Sequence, residues 1–316
     1  MFHWNGGLVL TKAGLAVDFT RRQPRAFISH AHTDHIARHE YALCTPQTSA
    51  LYQLRLGRRT TRDLPYRSPI DWGGLRLTTY PAGHCLGSAM LLAEDGDQTL
   101  LYTGDFKLGH SATAETAEFS TADVLVIEST FGDPGYKFPP REAAIAQLCE
   151  VVHGVLDSGG TPVVEAYALG KAQEVTRILA DAGFAVLQHP GIEPVSAVYE
   201  SFGVAVGHRG TIPHCPEPGH VLVVPPGIGR SHDWGRQVRI AVTGWAMDGR
   251  AKYRLGVDHA IPLSDHADYG ELVEAVQRVA PRRVYCTHGP ESFVDCLCDL
   301  GIDAHPLGRP SQQRLF

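Results

Sequence analysis

Ser29-His30-Ala31-His32-Thr33-Asp34-His35 places three histidines and one aspartate within six residues, directly after the apolar run Ala26-Phe27-Ile28. The apolar run reads as the end of a buried strand. Neutral imidazole and carboxylate are the usual protein ligands for zinc and similar divalent ions. In an extended segment side chains alternate, so His30 and His32 project to the same side. Asp34 and His35 follow where the chain must turn and can reach a second ion, so a cluster this dense suits two metals better than one. A metal-sequestering surface run would sit in polar, low-complexity sequence, whereas this one follows a core strand.

The rest of the chain bounds that reading. Its 316 residues are 43% hydrophobic and 20% charged, an ordinary globular composition with room for one large or two smaller cores. Thirty-three glycines and 21 prolines imply many turns. The formal charge of -6 gives no global basic field, so any nucleic-acid binding must be local. Seven scattered cysteines without a CxxC pair predict reduced thiols in a cytoplasm. The start of the chain reads as neither signal peptide nor membrane span, and no partner membrane is expected.

Working outward, short strands are predicted at 8–10, 15–19, 26–28 and 41–44, and a helix at 46–57. Strands resume at 75–80, 89–92, 99–102 and 124–127, with Glu94-Asp95-Gly96-Asp97 as a hairpin turn. The first third therefore reads as a meander-like sheet. The pattern changes at 141, where Ala144, Ile145, Leu148, Val151, Val152 and Val155 recur at helical spacing. Strands at 162–166 and 184–187 then alternate with helices at 171–182 and 194–202, which implies a parallel sheet with crossover helices. Strands at 220–224 and 238–243 follow, then helices at 268–280 and 291–300 around the strand Arg283-Val284-Tyr285-Cys286. The expected organisation is α/β: a core from 1–135, an insertion over 136–240 and a closing core segment over 241–316.

Further ligand candidates each end a strand: His84 in Pro81-Ala82-Gly83-His84, Asp105 in Thr103-Gly104-Asp105, and His288 in Thr287-His288-Gly289. Glycines beside such residues allow sharp turns and close approach.

In this order, His30-x-His32-x-Asp34-His35, His84 and Asp105 resemble the ligand series of the metallo-β-lactamase fold, a four-layered αββα sandwich with a two-metal site at one edge. Asp18 resembles that family's first aspartate motif, which supports the ligands from behind. Ile127-Glu128-Ser129-Thr130-Phe131-Gly132, Ser264-Asp265-His266-Ala267-Asp268 and Thr287-His288-Gly289 resemble motifs A, B and C of the β-CASP nucleases, which carry an inserted α/β domain between A and B. Together with Ala166-Tyr167-Ala168-Leu169-Gly170-Lys171-Ala172-Gln173 and Gly244-Trp245, these runs most resemble the ligase-associated DNA exonucleases of that family.

The resemblance implies two divalent ions, zinc or alternatively manganese. One would be held by His30, His32 and His84, the other by Asp34, His35 and His288, with Asp105 bridging. The ions would lower the pKa of a shared water and neutralise charge on a phosphate. His266 would be the general acid, with Glu128 orienting it and favouring its protonated form; Asp34 is counted with them as catalytic. Ser129, Thr130, Lys171, Arg55, Arg58 and Arg59 are the candidate nucleic-acid contacts, beside Arg62, Arg230, Arg250 and Lys252.

The expected substrate is single-stranded or frayed DNA attacked from the 5′ end, in functional association with a DNA ligase repair system. Histidine in motif C is commoner among RNA-processing members, so RNA stays open as a substrate. A small-molecule metallohydrolase has no need of Glu128, His266 or the insertion. A dead scaffold would lack ligands that are present here. Gly170-Lys171 lacks the upstream glycine of a phosphate-binding P-loop.

Overall fold

The computed structural model describes residues 1–308. The chain forms two compact units: Met1–His110, Glu115–Lys137 and the chain from His266 onward make the first, Ser111–Ala114 and Phe138–Asp265 the second.

The first unit holds two sheets. One runs in spatial order β1 (Phe2–Trp4), β2 (Leu8–Leu10), β3 (Leu15–Val17), β4 (Arg25–Phe27), β5 (Tyr41–Cys44) and β6 (Thr61–Asp63). The other contains β7 (Ile70–Trp72), β8 (Leu75–Pro81), β9 (Ala89–Glu94), β10 (Thr99–Tyr102), β11 (Val124–Glu128), β18 (Arg283–Thr287) and β19 (Ala304–Pro306), with β18 beside β11 and β19 beyond β18. Alternation along the strands decides which core each side chain enters. Leu91, Ala93, Leu100, Tyr102, Val124 and Val126 share one core with Leu8, Leu10, Leu15, Val17, Phe27 and Leu43 of the first sheet. Their neighbours Met90, Leu92, Leu101, Leu125 and Ile127 face the other way, onto α6 (Tyr269–Val279) and α7 (Glu291–Asp299). The helix α6 presents Leu272, Ala275, Val276 and Val279 at spacings of three and four residues. It is capped by Asp268, whose carboxylate accepts from Glu271 N–H while Glu271 reaches back to Asp268 N–H.

The meander expected for the first third holds for β1 to β3 and for β7 to β10. The first sheet is antiparallel from β1 to β3 and parallel from β3 to β6. Parallel pairing also joins β10 to β11 and β11 to β18. Parallel neighbours present their C-terminal ends along one edge of a sheet. The short strands β1, β6, β7 and β19 were not among the expected ones.

The second unit is a six-stranded parallel sheet, in order β14 (Arg209–Thr211), β13 (Ala185–Gln188), β15 (His220–Val224), β12 (Thr161–Glu165), β16 (Gln237–Val242) and β17 (His259–Ile261). Val164, Val221, Val223, Ile240, Val242 and Ile261 pack with Ala144, Leu148 and Val152 of α2 (Arg141–Asp157) and Val175 and Leu179 of α3 (Lys171–Asp181). Strands buried on both faces read as the continuous apolar runs seen in the sequence. The unit runs on to Asp265, past the 240 at which the insertion was expected to close. The reason is that β16 and β17 continue its parallel ladder beyond that point.

Candidate metal centre

Every ligand candidate of the first unit leaves the C-terminal end of a strand or the turn after it. Asp18 follows β3, the segment 29–35 follows β4, His84 follows β8, Asp105 follows β10, Glu128 ends β11 and His288 follows β18. The parallel register sets Glu128 opposite Thr287, one residue from His288. Close approach of these turns demands glycine. A Cβ on Gly289 would lie 1.8 Å from the Ser129 carbonyl oxygen, and one on Gly104 would lie 2.7 Å from Ser29 Oγ.

Among the groups of donors whose atoms lie within 4.8 Å of one another, two follow the expected ligand series: His30, His32, His84 and Asp105, and His35, Asp105 and His288. Asp105 is common to both. Its Oδ2 lies 3.5 Å from His30 Nε2, 3.3 Å from His35 Nε2 and 3.9 Å from His84 Nε2. Asp34 stands apart from both sets: its side chain is 76% exposed and 3.8 Å from His35 Nε2. The turn that delivers His35 inward leaves Asp34 facing outward.

Asp18 organises this edge from behind. Its carboxylate accepts Ser29 N–H at 2.7 Å, His35 Nδ1 at 2.9 Å and Tyr102 hydroxyl at 2.8 Å, together with the Ser29 hydroxyl. To do so it adopts φ +50, a left-handed conformation that a non-glycine residue holds only when its surroundings fix it. His288 does the same at φ +57.

Proton bookkeeping shows what the edge lacks. The Ser29 hydroxyl donates to Asp18, so its oxygen accepts from His30 Nδ1 at 3.0 Å. That leaves a lone pair on His30 Nε2, which is buried, has no hydrogen-bond partner and faces the Asp105 carboxylate. Burial, and then the neighbouring His35, holds His30 well below the usual imidazole range and therefore neutral. At His35 burial again opposes charge, but Asp105 and Asp18 outweigh it and raise the ring well above that range. Burial likewise opposes ionisation of Asp105, yet His35 holds it well below the usual carboxylate range. A buried lone pair on His30 Nε2 beside a carboxylate, within a cluster of imidazoles, fits a bound cation. The donor chemistry fits zinc or a similar divalent ion.

Beside these sets lies a dyad. Glu128 is buried and His266 Nδ1 lies 3.0 Å from its Oε1. The carboxylate is fixed by Phe106 N–H at 3.0 Å and by the Thr130 hydroxyl at 2.6 Å. Ala267 N–H donates to the Phe106 carbonyl, which pins the chain next to His266. The ring of His266 stands 4.7 Å from that of His84.

The expected nucleic-acid contacts fare differently. Ser129 is buried, and both its N–H and its hydroxyl donate to the Thr287 carbonyl. The Thr130 hydroxyl is taken up by Glu128. Lys171 is fully enclosed within the second unit, with Nζ 3.0 Å from Glu174 and 3.8 Å from Asp265. All three therefore have partners inside the protein. Arg55 donates to the Ala31 carbonyl at 2.6 Å and so braces the histidine-rich turn. Arg59 donates to the carbonyls of Arg58 and Leu56 at the end of α1 (Pro46–Leu56). Arg58 is exposed. Two supports escaped the sequence reading, Ser29 and Tyr102. Tyr102 carried a signal, since a tyrosine ending an apolar strand needs a partner for its hydroxyl.

Comparison with known proteins agrees with this geometry. Residues 253–305 match the family model described as a Zn-dependent metallo-hydrolase RNA specificity domain. A protein named probable DNA ligase from Opitutus terrae is 38% identical over 320 residues, which covers 98% of this chain and 31% of that protein. Endoribonuclease YSH1 from Eremothecium gossypii is 37% identical over 116 residues, 36% of this chain and 15% of that protein. Transcription termination factor FttA from Methanocaldococcus jannaschii is 32% identical over 191 residues, 49% of this chain and 30% of that protein. This chain thus spans less than a third of each of these relatives. A solved structure of a protein of unknown function from Enterococcus faecalis shares the fold at a TM-score of 0.60, with 17% identity over 84% of this chain and 75% of that one. With its two strand-end donor sets and the Glu128–His266 pair, the chain belongs to the β-CASP nuclease family of the metallo-β-lactamase fold.

Proposed function

We propose that this chain is a two-metal phosphodiesterase that trims single-stranded or frayed DNA ends in repair, working from the 5′ end. The observation that carries the reading is the Glu128–His266 pair beside two donor sets that share Asp105. His30, His32 and His84 would hold one ion and His35 and His288 the other, with Asp105 between them and Asp34 as a candidate further ligand. Zinc suits the histidine-rich set, and manganese is the alternative. Bound ions of this kind polarise phosphoryl oxygens and make water acidic enough to act as a nucleophile near neutral pH.

The remaining roles fall to the chain. Glu128 cannot donate as a carboxylate, so it accepts from His266 Nδ1–H and fixes that tautomer. The proton destined for the leaving oxygen would then sit on Nε2, and the buried carboxylate offsets the charge on the doubly protonated ring. Phe106 N–H and Thr130 hold the carboxylate so that the ring does not turn. Asp18 does the same for His35.

DNA is favoured because the relative named a DNA ligase matches along nearly the whole of this chain, whereas the one named an endoribonuclease matches over 36% of it. An RNA-processing ribonuclease of the same mechanism is the second reading. It draws on the description of the model matching 253–305. A functional association with a DNA ligase and a cytoplasmic location belong to the first reading. The cysteines are free, which suits a reducing compartment, and no helix among the described residues is long and apolar enough to cross a membrane. Cleavage of DNA and RNA strands of identical sequence, labelled at either end and supplied with zinc or with manganese, tests the choice. Faster release from 5′-labelled DNA is expected; faster cleavage of RNA would reverse it.

A further inference from the structure

The second unit carries a cleft of its own. Leaving β12, the chain runs to one side of the parallel sheet, to β13; leaving its neighbour β16, it runs to the other side, to β17. Connections that diverge from the C-terminal ends of adjacent parallel strands open a crevice, which is where open α/β sheets bind ligands. Here it is a cavity of about 460 Å³. Two aromatic rings line it and remain in water: Tyr167, 56% exposed, just after β12, and Trp245, 41% exposed, just after β16. Two exposed arginines complete the lining, Arg230 and Arg254. The one carboxylate in the lining, Glu165, is buried and paired with Arg239, with 2.7 Å from Nε to Oε1, so it does not cancel Arg230. Arg254 is held beside the indole by its bond to the Trp245 carbonyl and by an ion pair with Asp248, each 2.9 Å, which offsets its charge.

We infer that this crevice is a base-stacking subsite for single-stranded nucleic acid, with Tyr167 and Trp245 as the platforms and Arg230 facing the phosphates. Exposed aromatic faces cost solvation unless something flat covers them, and the adjacent Arg230 favours an anion. Nucleobases on a phosphate backbone meet both demands, and stacking on aromatic rings tolerates any base sequence. The inference rests on the nuclease reading for the identity of the ligand and extends it to a recognition element outside the metal centre.

The test uses the full chain in excess chelator, so that no cleavage occurs, and a fluorescently labelled 12-mer of deoxythymidine. Tyr167→Ala and Trp245→Ala are each expected to weaken binding about tenfold. Tyr167→Phe and Trp245→Phe keep a ring and are expected to restore most of it. A 12-mer of abasic residues should bind the wild type weakly and show no further loss in either alanine variant. Equal affinity for the normal and abasic strands, or unchanged affinity in both alanine variants, would overturn the subsite. Hydrolysis of bis(4-nitrophenyl) phosphate by the metal-loaded wild type reports separately on the nuclease reading. Its absence counts against that reading, while the affinity ratios decide the subsite.

Discussion

The strand-end edges of the two units treat water in opposite ways. In the first unit His30, His35, His84 and Asp105 are buried, with lone pairs and a carboxylate facing one another. In the second unit Tyr167, Trp245, Arg230 and Arg254 stay in solvent. A buried edge of donors suits a cation, and with one bound it would gain the electrostatic strength that chemistry requires. A wet edge of rings and guanidinium groups needs nothing to be stable, and it offers weak, repeated, sequence-tolerant contact. Burial thus separates the edge suited to bond breaking from the edge suited to holding.

Four substitutions would break or sharpen that contrast. The largest effect is expected from Asp105→Ala, which removes the carboxylate common to both donor sets. It should lose at least one ion per chain by elemental analysis and more than about a hundredfold in turnover, beyond the loss typical of a residue that only supports a ligand. Full two-metal occupancy in that variant would contradict the shared role. Next, His266→Ala should keep the wild-type metal content while turnover falls about 10²–10⁴-fold, the usual worth of a positioned proton donor. Wild-type turnover there would remove His266 as the acid.

Asp18→Asn comes third. It leaves the ligands in place but weakens the bonds to His35, Ser29 and Tyr102. Metal affinity should drop about 10–100-fold in competition with a chelating dye; unchanged affinity would reduce Asp18 to a turn residue. The smallest effect on chemistry belongs to Lys171→Ala. Removing a buried cation from beside Glu174, which keeps Arg141 at 2.7 Å, should cost about 1–3 kcal/mol of stability, read by urea unfolding. Metal content should not change. A variant as stable as the wild type but defective in DNA binding would return Lys171 to the nucleic-acid interface.

Lys171 also shows where sequence reading stops. The residue begins a helix and carries a charge, which is how a phosphate contact reads in one dimension. Glu174 lies three residues on, one turn along the same helix, and that pairing let the lysine fold inward. Ser129 and Thr130 are alike in this, because a hydroxyl in a loop reads as available, whereas the structure gives each an acceptor in Thr287 or Glu128. Short polar strands such as Thr61–Asp63 and Arg209–Thr211 lack both alternation and an apolar run, so only their neighbours define them. By contrast, the histidine-rich turn, His84, Asp105 and His288 were legible because each follows a strong apolar strand. Parallel pairing then brings those ends to one edge. Glu128 was legible because an acid ending the buried run 124–127 needs a partner, and His266 supplies it.

The central claim is that the dry edge, once it holds its cations, cuts a phosphodiester bond. The most direct measurement follows the cleavage of an end-labelled single-stranded DNA by the purified chain, first with zinc or manganese, then in excess chelator, then with the metal restored. Cleavage that vanishes with chelation and returns with metal is expected. Cleavage that persists in excess chelator, or a metal-loaded chain that leaves the strand intact, would contradict the account.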